Sequence, residues 1–120
     1  MNQEFLIRIA NKWFDAFNRQ DLEALLALYD NNAEHYSPKL KMRLPATNGW
    51  IKGKDSLRNW WADAFERLPE LRYTPNKIIA NDNSIFMEYL RTVPNEDNLI
   101  VGELLELRNG LIIQSKVFHS

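Results

Sequence analysis

The hydrophobic period of this 120-residue chain changes near Glu70, and that change constrains the fold more than any other feature. Before it, Phe5, Leu6, Ile9, Ala10, Trp13, Phe14 and Phe17 recur at spacings of three and four, which places them on one face of a helix. Asn18 to Gln20 form a polar break, and Asp21 caps a second, short helix carrying Leu22, Leu25, Leu26 and Tyr29. A third helix opens at Asp55 or Ser56, buries Leu57, Trp60, Trp61, Ala64, Phe65 and Leu68, and stops before Pro69. Beyond Glu70 apolar residues alternate. Four strands follow, the first begun by Leu71 to Ile79, then Ser84 to Val93, Leu99 to Leu107 and Leu111 to His119. Asn81-Asp82-Asn83, Pro94 to Asn98 and Asn109-Gly110 supply the turns between them.

Helices followed by a run of antiparallel strands predict an α+β fold. The expected architecture is three N-terminal helices packed on a strongly curved, mainly antiparallel sheet that encloses a pocket. Ala33 to Ser37 reads as one further strand, stopped by Pro38. Lys39 to Lys54 is basic, broken by Pro45 and Gly49, and reads as a loop of about fifteen residues, a length more often functional than incidental.

Composition removes whole classes of function. The chain has no cysteine, so disulfides, thiolate metal sites and cysteine nucleophiles are excluded. With 45% hydrophobic and 26% charged residues it reads as one globular domain over residues 1–120. A net charge of −1 gives no reason to expect nucleic acid or an anionic membrane as partner. Met1 to Arg8 lacks the apolar run of a signal peptide, and no apolar stretch approaches the ~20 residues that cross a bilayer. A cytoplasmic protein is the expectation.

The last hairpin says most about a site. One face of its first strand reads Leu99, Val101, Glu103, Leu105, Leu107, apolar except for a carboxylate at its centre. In its second strand the set Ile113, Ser115, Val117, His119 is less polar in the middle than the set holding Gln114 and Lys116. A plain two-residue turn pairing Arg108 with Leu111 would set Glu103 opposite Lys116. An odd loop, with Gly110 as a left-handed bulge residue, keeps Lys116 out of the core and is the favoured register. In the register with Lys116 inward, Glu103 is half of an ordinary ion pair. Parity in the early strand places Ala33, His35 and Ser37 on one face. The inward polar set is therefore His35, Ser37, Glu103, Ser115 and His119.

Several segments resemble the nuclear transport factor two-like superfamily, in particular its SnoaL-like polyketide cyclase and steroid-isomerase-like branches. They are Trp13-Phe14-Asp15-Ala16-Phe17-Asn18-Arg19-Gln20-Asp21-Leu22 with Ala27-Leu28-Tyr29-Asp30, then His35-Tyr36-Ser37-Pro38 and Gly53-Lys54-Asp55-Ser56-Leu57. Leu107-Arg108-Asn109-Gly110-Leu111-Ile112 and Val117-Phe118-His119 complete the set, which spans almost the whole chain. The resemblance implies a cystatin-like cone with an internal pocket. It implies that Ser37 occupies the place of a general-base aspartate, which a serine cannot replace. It aligns Trp13 with an oxyanion-donor tyrosine and Glu103 with a protonated carboxyl donor. His35 and His119 stand at plausible equivalents of the cyclase-like pocket residues, without the accompanying aspartate. Such a site argues against simple steroid isomerisation, and the fold itself hosts unrelated activities.

Two classes of function are consistent with these residues. The first is an acid–base enzyme (isomerase, cyclase, dehydratase or hydrolase) acting on an apolar carbonyl- or ring-containing metabolite. His35, Glu103 and His119 would be its catalytic groups; Trp13, Ser37, Trp61 and Ser115 would contact substrate. The second is a non-catalytic module that binds a small apolar or amphipathic ligand or dimerises. Either is expected to form a homodimer through the sheet. Two histidines and a carboxylate also match a metal-ligand set, but they come from separate strands without a local ligand motif, so neither metal nor cofactor is expected. The basic run Lys39, Lys41, Arg43 reads as a solvated loop, with an anionic substrate tail as the sharper alternative.

Overall fold

Helix α1, Gln3–Arg19, begins where the Asn2 side chain accepts a 2.8 Å hydrogen bond from the Phe5 amide, and ends at Gln20 in the left-handed conformation. Its buried face is the apolar stripe of the sequence: Leu6, Ile9, Ala10, Trp13, Phe14 and Phe17. Asp21 caps α2, Leu22–Leu26, through the Ala24 amide. Tyr29, expected at the end of that helix, instead opens β1, Tyr29–Tyr36. In this computed structural model, which describes residues 1–119, four α-helices pack against a six-stranded curved sheet.

The fourth helix lies in the segment read as a loop. Pro38–Arg43 forms α3, followed by a 3₁₀ turn at Pro45–Thr47 and the short strand β2, Trp50–Lys52. Pro38 does stop the strand, but it also starts a helix. Ser37 is the N-cap, its hydroxyl accepting from the Lys39 amide at 3.2 Å, and proline at the first helical position loses no intrahelical bond. The third predicted helix is α4, Lys54–Arg67, and it buries Leu57, Trp61 and Phe65. The remaining strands are β3, Arg72–Asn81, β4, Ser84–Thr92, β5, Leu99–Arg108, and β6, Leu111–His119.

The strand order is β2-β1-β6-β5-β4-β3, antiparallel throughout except for the parallel pair β1 and β6. The helices cover one face, and the core lies between that face and α1, α2 and α4. No helix among the described residues is long and apolar enough to cross a membrane.

The register of β5 and β6 has the expected facing by a different device. Asn109 and Gly110 both have positive φ, 54° and 81°, and Arg108 pairs with Leu111, which is the two-residue turn that was disfavoured. The parity change comes two residues later. Leu107 pairs with Ile112 and Glu106 with Gln114, leaving Ile113 as an unpaired bulge. Glu103 therefore faces Val117, Leu105 faces Ser115 and Val101 faces His119. Lys116 turns to the opposite face, where its ammonium stands 5.6 Å from the Trp50 ring centroid.

Candidate functional site

A cavity of about 260 Å³ opens between α3, α4 and the inner face of the sheet. His35, Ser37, Trp61, Glu103 and His119 all line it. Each reaches it for a local reason. His35 and Ser37 share one face of the extended chain into α3; the Ile113 bulge sets Ser115, Val117 and His119 inward; Glu103 follows from the alternation of β5. Trp61 lies on the buried face of α4, while its neighbour Trp60 is half-buried and also borders the cavity. Trp13 and Ser115 do not reach it. Both are fully buried, and the expectation that they touch substrate gives way to a supporting role.

That role is a chain of hydrogen bonds behind the wall. The Trp13 indole Nε1 donates to the Tyr29 hydroxyl at 3.2 Å, and Tyr29 donates to the Ser115 Oγ at 3.2 Å. Ser115 Oγ lies 2.7 Å from His35 Nδ1. Indole can only donate, so the Tyr29 oxygen accepts from it and sends its own proton to Ser115. This order leaves the Ser115 proton for Nδ1 and assigns the ring proton of His35 to Nε2. Burial pushes the His35 imidazole down to about 3, partly offset by a hydrogen bond with the Ser115 backbone. At neutral pH it is an uncharged hydrogen-bonding group.

Glu103 is the second perturbed group. It is 2% exposed, and among the described residues no cation forms an ion pair with it. The Tyr89 hydroxyl donates to its Oε1 at 2.8 Å. Burial pushes the carboxyl up to about 8, and this hydrogen bond pulls only partly against it. The alternative in which Lys116 neutralises Glu103 does not occur, and neither does a pair with Arg91. Lys116 is on the far face, and Arg91 pairs with Glu96 at 2.9 Å. Burial, reinforced by the charge of Glu103, raises Tyr89 well above its ordinary value, so it remains a donor.

The sequence reading missed Tyr29, Tyr73 and Tyr89 as parts of the polar site. Tyr73 and Tyr89 line the cavity with ring centroids 4.4 Å apart. A period-two pattern marks them as inward but cannot separate a core tyrosine from a hydrogen-bond partner. Chemically, the cavity presents apolar walls, a carboxyl held in its acid form near neutrality and a neutral imidazole. That combination suits a ligand oxygen carrying partial or developing negative charge. Among the described residues no three His, Asp or Glu side chains come together as a metal-ligand set.

A SnoaL-like domain model matches residues 10–115. No curated protein matches the sequence. Among solved structures, a SnoaL-like protein of unknown function from Burkholderia thailandensis is 21% identical. It superposes with a TM-score of 0.89 over 100% of this chain and 98% of its own. A proposed ketosteroid isomerase from Kribbella flavida is 22% identical, with a TM-score of 0.78 over 98% of this chain and 78% of its own. TerC, co-crystallised with polyporic acid, is 16% identical, with a TM-score of 0.81 over 95% and 90%. At these identities the likeness shows the shared fold and leaves activity open. The domain match spans both the helical layer and nearly all of the sheet, and the chain belongs to the SnoaL-like domain family, within the nuclear transport factor two-like fold.

Proposed function

We propose that this chain binds a small, mainly apolar carbonyl- or ring-containing metabolite in the cavity and acts on it as a cofactor-independent acid–base enzyme. The observation that carries this reading is Glu103, a buried carboxyl with a tyrosine hydroxyl as partner and no cation. A carboxyl with a pKa of about 8 is mostly protonated at pH 7, so it can donate to a carbonyl oxygen and stabilise the enol or enolate that forms there. His35, uncharged and with its ring proton on Nε2, would be a second donor. His119 and Ser37 are further groups within the same cavity. Trp61 and Phe17 supply apolar wall. TerC, which shares the fold, was co-crystallised with a small organic molecule, polyporic acid, which is compatible with a small-molecule occupant.

A second reading, binding without turnover, has one observation in its favour. Ser37 is committed as the N-cap of α3, so the place just before Pro38 offers no base. A melting-temperature screen against cyclic ketones, lactones and phenols, repeated with Glu103→Gln, tests the pocket. Deuterium incorporation next to the carbonyl of each hit, followed by NMR, tests the chemistry. Exchange that disappears in Glu103→Gln supports the enzyme. Hits that shift the melting temperature without exchange support binding alone, and the absence of any hit refutes both.

We also propose that the chain forms a homodimer through the outer sheet face. Ile79, Ile100 and Phe118 stand about half exposed on it, and Phe86 lies over Gly102 beside them. Sedimentation equilibrium of the chain and of Ile100→Asp/Phe118→Asp tests this, and a monomeric wild type would refute it.

A further inference from the structure

The charges around the cavity are mainly positive. Lys39, Arg43, Arg67 and Arg91 line it, against the carboxylate of Glu96 and the largely protonated Glu103. The chain as a whole carries −1, so this excess of positive charge is local. Three of the four cations have partners. Arg91, 6% exposed, holds Glu96 at 2.9 Å, while Arg67 and Arg43 share Asp63 at 2.7 Å and 3.8 Å. Lys39 has none: among the described residues no carboxylate lies within ion-pair distance of it. Its ammonium is pushed below its ordinary value by burial first and then by Arg91, with the charge of Glu96 pulling against this and Arg67 adding to the repulsion.

The position of Lys39 is fixed by the fold. It is the second residue of α3, its amide bonded to the Ser37 hydroxyl, so its backbone is anchored beside a residue that also lines the cavity. Phe17, Trp61, Val101 and Val117 supply apolar lining. Neither His35, which is neutral, nor Glu103, which is itself kept from ionising, can receive an anion, and the buried Arg91 is already held by Glu96. An anion therefore belongs at the cationic end. One unpartnered cation matches one negative charge; a dianion would have to draw a guanidinium away from Asp63 or Glu96.

We propose that the cavity takes a small organic acid, its apolar ring body against Trp61 and Phe17 and its carboxylate held by Lys39, with Arg67 and Arg91 alongside. The proposal rests on the reading of the cavity as a ligand site and adds the chemical class of the ligand. The volume of about 260 Å³ lies just under the ~300 Å³ at which typical ligand sites begin, which limits the body to one or two rings.

Calorimetric titration with 2-naphthoate and with 2-naphthamide, the same ring without the charge, tests it. The carboxylate should bind about tenfold more tightly than the amide, and added salt should weaken the carboxylate alone. Lys39→Gln should remove most of that advantage while leaving amide binding unchanged, and Lys39→Arg should restore it. The salt response needs no variant, so it stands even if a substitution disturbs folding. An amide that binds as well as the acid overturns the proposal and leaves the cavity reading intact. A preference for the acid that survives Lys39→Gln, or that Lys39→Arg fails to restore, overturns the assignment to Lys39. Binding of neither probe overturns both readings.

Discussion

Replacing Glu103 by glutamine should change how the stability of this fold depends on pH, in a direction that His35 and Glu103 together determine. Glu103 moves from an ordinary value of 4.5 to about 8 on folding, so between those pH values the folded chain holds a proton that the unfolded chain has released. Stability from this group is complete below pH 4.5 and is lost as pH rises through 8. His35 moves the other way, from 6.5 to about 3. Its contribution is complete above pH 6.5 and is lost as pH falls through 3. From 4.5 to 6.5 the two slopes oppose each other and stability should be nearly flat. At ~1.4 kcal/mol per pH unit each group carries at most about 5 kcal/mol, comparable with the lower end of domain stabilities. Between pH 6.5 and 8 the wild type should therefore lose about 2 kcal/mol from Glu103 alone. Glutamine keeps the acceptor for Tyr89 and cannot ionise, so Glu103→Gln should lose none of this. Urea unfolding followed by tryptophan fluorescence at half-unit steps from pH 5 to 8.5 measures both curves. If the two run parallel above pH 6.5, Glu103 is not held protonated by burial, and the acid–base reading loses its principal group.

Two further substitutions and one deletion probe how the site is built. Ser115→Ala leaves the Tyr29 hydroxyl and His35 Nδ1 without their shared partner, and should cost about 2 kcal/mol in denaturant unfolding. A change under about 0.5 kcal/mol would show that the buried chain is not structural. Deleting Ile113 removes the bulge but leaves Glu106 opposite Gln114 and Leu105 opposite Ser115, so Lys116 stays outward and circular dichroism should still report cooperative folding at 25 °C; its loss would refute this account of the bulge. Gly49→Ala should cost about 2 kcal/mol by thermal melt. Gly49 has φ of 91°, and a Cβ there would stand 2.6 Å from Tyr36 Cε1 and 3.2 Å from the Ser37 carbonyl.

What could be read from residues alone depended on whether a feature has a period. The α1 stripe from Leu6 to Phe17 is periodic over about three turns, and its buried face matches the expectation residue for residue apart from Phe5, which is half-buried, and Ala16, which is buried. The facing of His35, Ser37, Glu103, Ser115 and His119 also came from alternation, and all five are inward. The device behind that facing did not. Ile112 and Ile113 are the same residue type, so nothing in the sequence marks which of them is the extra one; core packing decides it. The α3 helix is only six residues long, too short for a periodic stripe, although Ser37-Pro38 carries the cap-and-proline signature of a helix start. Trp13 and Trp61 illustrate the remaining limit. Both are inward tryptophans on helices, and only the three-dimensional arrangement shows that one borders the cavity while the other braces Tyr29 behind it.

The position of β6 has a consequence for assembly of the molecule. It is the seam between two blocks of sheet, β2-β1 on one side and β5-β4-β3 on the other, and among the described residues it is the strand through which the two are joined in the sheet. Tyr36 and its partner Lys116 are separated by most of the chain. Until residues 111–119 are in place, β1 keeps one edge unsatisfied and His35 lacks Ser115. The hairpins of the second block can form early from local contacts, whereas this seam must close over a long loop and should be slow. A chain in which that seam has not closed would keep the Tyr89–Glu103 pair of the β4-β5 hairpin but lack the His35–Ser115 contact, so the two halves of the site are joined by a single strand pairing.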